Sequence, residues 1–114
     1  MFDALKNLGQ LPQLMAKAQK LQEQVKTMQE QMASRRISGD AGGGRVTATV
    51  NGRMELIAVR IDSGRVDLSN VEMIQDLTVA AVRDAQLKAA EVVKSEMERI
   101  THDVGISPDM LPGM

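Results

Sequence analysis

Cysteine, tryptophan and tyrosine are absent from this 114-residue chain, and Phe2 is its only aromatic residue. Without cysteine there is no disulfide framework and no thiolate metal site. Without aromatic rings the core must be assembled from Val, Ile, Leu, Ala and nine methionines, which pack adaptably but define shape less sharply. The same scarcity argues against reading single strands or RNA, where bases usually stack on Phe, Tyr or Trp. No apolar run approaches a membrane span, and the opening MFDALKNLGQ lacks a signal-peptide pattern. A cytoplasmic protein with no membrane partner is the expectation. The single histidine, His102, has no second His or Cys to share a metal, and reads as an exposed residue near a helix C-terminus. No clustered nucleophile, base or metal ligands are visible, so the expectation is a protein that is not an enzyme, with no cofactor, metal or small-molecule substrate.

What is present is a heptad run. Leu11, Leu14, Ala18, Leu21, Val25, Met28 and Met32 alternate steps of three and four, which lines them along one narrow seam of a helix. The flanks are rich in glutamine, with Lys17, Lys20 and Lys26 on the polar side. Gly9 is read as interrupting a first helical turn, and Pro12 as marking the start of the long helix, where a missing N–H costs nothing. About 23 residues to Ser34 would span roughly 35 Å. A seam of about three heptads exceeds what a small sheet can cover, which points to association between protomers.

After Arg35 and Arg36 the pattern changes. Ser38 to Gly44 reads as a flexible loop, with Ile37 and its neighbours able to supply a short strand. Arg45 to Val50 alternates strictly, Asn51-Gly52 signals a tight hairpin turn with positive φ, and Arg53 to Ile61 returns with Ile57, Val59 and Ile61 on one face. The glycines Gly39 and Gly42 to Gly44 do not make a phosphate loop, because a helix precedes, a strand follows and no Gly-Lys-Ser/Thr occurs. Ser69-Asn70-Val71-Glu72 reads as a capping box opening a second helix of about 35 residues. Small residues at its middle, Ala80, Ala81, Ala85, Ala89 and Ala90, would admit a close neighbour. Asp84 with Lys88, Lys94 with Glu98 and Glu96 with Arg99 are placed to pair along it. The expected layout is one domain over 1–114: helix 10–34, strands 36–61, helix 70–104 and a mobile tail 105–114.

The net charge of −1 hides an asymmetry. Residues 1–36 carry six Lys/Arg against three Asp/Glu, and residues 67–114 carry four against nine. A basic N-terminal part that dimerises would double its local charge, and Lys and Arg there can replace the counterions of a nucleic-acid backbone. No helix-turn-helix or zinc-finger spacing appears, so duplex DNA held through its backbone and groove shape is the nucleic acid that fits. A solvated helix surface is the plainer account of the same lysines. A scaffold offering Met28, Met32 and Met97 to a protein partner is the competing function.

The segments LMAKAQKLQEQVKTMQEQM, SGDAGGGRVTATVNG, VRID, VEMIQDLTVAAVRDA and LPGM, in this order, resemble the YbaB/EbfC family of bacterial nucleoid-associated proteins. The resemblance implies an α+β fold, an α-β-β-β-α protomer with a small antiparallel sheet and two long helices, forming a tweezer-like homodimer. It implies binding of duplex DNA with little sequence preference, at the nucleoid, with a part in nucleoid organisation and regulation of expression. Two departures stand out: Ile61-Asp62-Ser63-Gly64-Arg65 where the family often reads Ile-Asp-Pro, and Arg83 where Asn is common. The family supplies no short contact motif. The candidate DNA-binding residues therefore rest on charge: Lys17, Lys20, Lys26, Arg35, Arg36, Arg45 and Arg83, with Leu14, Ala18, Leu21, Val25, Met28 and Met32 as the packing seam.

Overall fold

A computed structural model describes residues 2–106, with side-chain surroundings from Gln10 onward. The order is helix α1 (Phe2–Ser34), strands β1 (Ile37–Ala41), β2 (Val46–Val50) and β3 (Leu56–Ile61), then helix α2 (Val71–Val104). This is the expected α+β arrangement. The strands form one antiparallel sheet in the order β1-β2-β3. The expected mobile tail lies, from residue 107 on, outside the described residues.

Two compact units divide the chain. One comprises residues 29–94, the other residues 1–28 and 95–114. In the first, the sheet unit, α2 lays Ala81, Ala85 and Ala89 on Ile37, Val46, Ala48 and Val50. Methyl side chains let the helix come close, and Gly39 completes the fit, since a Cβ there would overlap the backbone of Ala85. Asp84 Oδ2 accepts a hydrogen bond from the Asp40 N–H at 3.0 Å and pairs with Lys88 at 3.0 Å, tying α2 to β1. Those two bonds, the Asp40 N–H first, hold the Asp84 carboxyl below its ordinary range and raise Lys88.

Several local expectations shift. α1 starts at Phe2 and runs through both Gly9 and Pro12, so neither residue interrupts or opens it. Half of the expected Ser38–Gly44 loop is strand β1: pairing of Ile37–Ala41 with β2 outweighs the weak strand propensity of Ser, Gly and Asp. Only residues 42–45 turn, with Gly42, Gly43 and Gly44 all at positive φ.

The Asn51-Gly52 hairpin forms, but not through a two-residue turn. Gly52 has no positive φ; Met54 does, at 67°. The Asn51 carboxamide holds a wider loop, its oxygen accepting from the N–H groups of Arg53 and Glu55. Its Nδ2 donates to the carbonyl of Ala33, and the Gly52 N–H donates to that of Met32 at 2.8 Å. The turn thus satisfies the last carbonyls of α1. A Cβ at Gly52 would stand 2.6 Å from Met32 Cβ, so glycine is needed for space.

The cap of α2 moves by one residue. Asn70 Oδ1 accepts from the Met73 N–H at 3.1 Å, whereas Ser69 is occupied with Asp67. At the other end Gly105 (φ 79°) and Ile106 close a Schellman motif: Ile106 N–H reaches the Thr101 carbonyl and Gly105 N–H that of His102.

Candidate nucleic-acid interface

The seven candidate cations fall into the two units, each taken by itself. In the helical unit Lys17, Lys20 and Lys26 are all exposed. At about 100° of helix per residue, Lys17 and Lys20 lie about 60° apart, while Lys26 is about half a turn round from Lys17. They do not form one stripe. Lys17 has a second neighbour: its Nζ stands 3.8 Å from where a Cβ on Gly105 would sit. That places an ammonium beside the C-terminal turn of α2, where the partial negative charge of the helix end favours it.

In the sheet unit Arg35 and Arg36 occupy the exposed link between α1 and β1, and Arg45 closes the β1–β2 turn. The Arg45 carbonyl accepts from the Asp62 N–H at 2.8 Å, which fixes its backbone and leaves the side chain in solvent. Arg83 is exposed on α2 beside a shallow groove lined by Met54, Gln86, Leu87 and Ala90.

Pairing separates these from three other cations, Lys88, Arg99 and Arg65, though not from Arg53, Arg60 or Lys94. Lys88 is bound to Asp84, Arg99 to Glu96 at 2.8 Å and Asp103 at 3.2 Å, and Arg65 stands 3.9 Å from Asp62. Glu96 raises the Arg99 guanidinium further still above its usual range. Two of the three anticipated pairs along α2 are therefore present; Lys94 with Glu98 is not among those formed. Among the described residues none of the seven candidates has a carboxylate within 4.0 Å. Arg60 escaped the charge reading. It is exposed opposite Thr47, beside Ile61, Asp62 and Ser63, and period-two alternation from Val46 could have placed it on the polar face of the sheet.

The seam is covered unevenly. Leu11 and Leu14 are 44% and 55% exposed and Ala18 is exposed; Leu21 and Val25 are half-buried; Met28 and Met32 are each 4% exposed. Met28 and Met32 are thus not free to meet a protein partner, contrary to the scaffold expectation. His102 is exposed in the last turn of α2. No helix among the described residues is long and apolar enough to cross a membrane.

Helix, three antiparallel strands and helix, carrying unpaired basic side chains in solvent, define a small α+β protein with a cation-bearing surface. The chain belongs to the YbaB/EbfC DNA-binding family, whose model matches residues 7–104. It is 39% identical over 111 residues to a nucleoid-associated protein of Gemmatimonas aurantiaca, covering 97% of this chain and 99% of that one. Over 95 residues it is 44% identical to a nucleoid-associated protein of Saccharopolyspora erythraea, covering 83% and 82%. An uncharacterized protein from Helicobacter pylori of known crystal structure superposes with a TM-score of 0.63 at 24% identity, covering 74% of this chain and 88% of that one. At that identity the likeness speaks for the fold alone.

Proposed function

We propose that this protein binds duplex DNA as a homodimer with low sequence specificity, acting in the cytoplasm at the nucleoid in its organisation and in regulation of gene expression, without catalysis. The observation that carries the reading is the division of the cations. Lys88, Arg65 and Arg99 have carboxylates of their own, whereas Lys17, Lys20, Lys26, Arg35, Arg36, Arg45 and Arg83 face solvent with none among the described residues. Unpaired side chains of this kind can displace counterions from phosphates without first breaking an internal bond. Membership of a DNA-binding family supports the same partner. Arginines can grip phosphate oxygens bidentately, and lysines act as point charges, so neither set needs to read bases.

Fluorescence anisotropy of a random and an AT-rich duplex, from about 50 to about 300 mM salt, tests this. If the dimer neutralises about four to six phosphates, log affinity falls against log salt with a slope near −4 to −5. Changing Lys17, Lys20 and Lys26 together to Gln should weaken both duplexes alike and flatten the slope. Unchanged binding would move the surface to the arginines. Absence of wild-type binding at the lowest salt would refute the reading.

A further inference from the structure

The turn at 51–55 is a junction of three elements within the sheet unit. The Met32 carbonyl near the end of α1 accepts from two N–H groups, that of Arg35 at 3.2 Å and that of Gly52 at 2.8 Å. Arg35 and the residue before Arg53 therefore hang from a single oxygen. Buried Asn51 tightens the junction: its Nδ2 reaches the Ala33 carbonyl, and its Oδ1 accepts from the Arg53 N–H at 2.9 Å. From α2, the Gln86 amide donates to the Met54 carbonyl at 3.5 Å, and Met54 and Arg83 line one shallow groove. Four arginines are gathered in this way: Arg35 and Arg36 from the link after α1, Arg53 from the turn and Arg83 from α2.

Their charge is uncompensated. All four are exposed, and among the described residues none has a carboxylate within 4.0 Å. The acid of the turn, Glu55, has one carboxylate oxygen bonded to Asn51 Nδ2 at 3.1 Å. Like charges gathered without a counter-charge repel one another, and a polyanion removes that cost on binding. Guanidinium groups suit the task, since they take phosphate oxygens bidentately and are less strongly hydrated than ammonium groups. The base of the cluster is also fixed: Asn51 and Gly52 are buried, and a Cβ on Gly52 would overlap Met32. Little order must be gained in the backbone when a ligand arrives. The lysines of α1 are not gathered in this way, because Lys26 lies about half a turn of helix from Lys17.

We propose that this turn is the principal grip of the sheet unit on duplex DNA, with Arg35, Arg36, Arg53 and Arg83 on phosphodiester oxygens. This rests on the DNA-binding reading and says which residues carry it, adding Arg53, which charge along the chain did not single out. Anisotropy titrations of the full chain with the random and AT-rich duplexes test it. Arg53→Gln should weaken both by about tenfold. It should also flatten the salt slope by about one to two, because each protomer loses a phosphate contact. Arg60→Gln removes an equally exposed, unpaired arginine from outside the turn, and screening should keep its effect below about twofold. Both variants should unfold at the wild-type temperature. Absence of wild-type binding would overturn the DNA reading itself. Wild-type binding with Arg53→Gln no weaker than Arg60→Gln would overturn the arginine grip alone.

A second readout needs no substitution. Phenylglyoxal modification of the unaltered chain, read by mass spectrometry, should slow at Arg35, Arg36, Arg53 and Arg83 when duplex is present, and not at Arg60. Equal protection of Arg53 and Arg60, or protection of neither, refutes the assignment.

Discussion

In the sheet unit Val46, Ala48, Val50, Ala81, Ala85 and Ala89 have no exposed surface; in the helical unit Leu11, Leu14 and Met15 keep between 44% and 62% of theirs. The core of the first unit, where α2 meets β1 and β2, is built on small residues at close approach, so each methyl of Ala81, Ala85 and Ala89 is covered. The second has few buried side chains, among them Met28, Ile100, Thr101 and Val104, and encloses a Gln24 carboxamide oxygen with no partner among the described residues. Composition does not explain the contrast, since both units draw on the same aliphatic set. Residue size does: alanine and glycine let backbones touch, whereas long, adaptable methionine and leucine fill wider gaps. A tightly fitted region should be intolerant of added atoms, and a loosely fitted one of lost atoms only where they are covered.

Gly39→Ala tests the tight fit most severely. One methyl must enter the backbone of Ala85, and the expected loss is about 3 kcal/mol, or roughly a 15 °C drop in Tm by calorimetry for a domain of this size. A drop of a degree or two would mean that α2 can slide away from β1, and the close fit would lose its meaning. The seam of α1 gives the next effect. Met28→Ala should cost about 2 to 3 kcal/mol in urea unfolding, whereas Leu14→Gln, in the same heptad run but 55% exposed, should stay within about 0.5 kcal/mol in the monomeric state. Equal costs at the two positions would show that the seam is covered along its whole length in solution.

How far the amino-acid pattern reached is clearest at these positions. Of the heptad run, Leu21, Val25, Met28 and Met32 are at least half covered while Leu11, Leu14 and Ala18 are exposed, and nothing local says which half of a stripe a neighbour will cover. Strict alternation over Val46–Val50 and the Asn51-Gly52 signal located the hairpin. The wider turn was not legible, because it depends on the Ala33 and Met32 carbonyls, which lie nearly twenty residues away. Strand β1 was only half visible, since Ser38, Gly39 and Asp40 look like loop residues until β2 supplies their hydrogen bonds. The cap of α2 was displaced by one residue, because Ser69 had a closer partner in Asp67. For the candidate site, charge alone found the basic residues, and the spacings of Asp84 with Lys88 and Glu96 with Arg99 marked two cations as already paired. That Lys26 points away from Lys17, and that Lys17 sits by Gly105, needed the third dimension.

The smallest effect comes from the Asp40–Asp84 bond that ties α2 to the sheet. Asp84 is stabilised as the carboxylate, first by the Asp40 N–H and then by Lys88, which holds its pKa below the ordinary 3.8. A carboxyl with a depressed folded pKa adds stability that is fully present above the unfolded value and is lost as pH falls through the folded one. Wild type should therefore lose urea stability below about pH 4, and Asp84→Asn should lose less in that window while being weaker at neutral pH. Asp67 responds in the same direction, through its bonds from Ser69, so the Asp84 variant should be flatter than wild type but not flat. Since Asp67 lies outside the strands and α2, only the Asp84 component should appear in hydrogen exchange at Asp40. Identical pH profiles for wild type and Asp84→Asn would mean that the packing of Ala81, Ala85 and Ala89, without this bond, sets where α2 lies on β1.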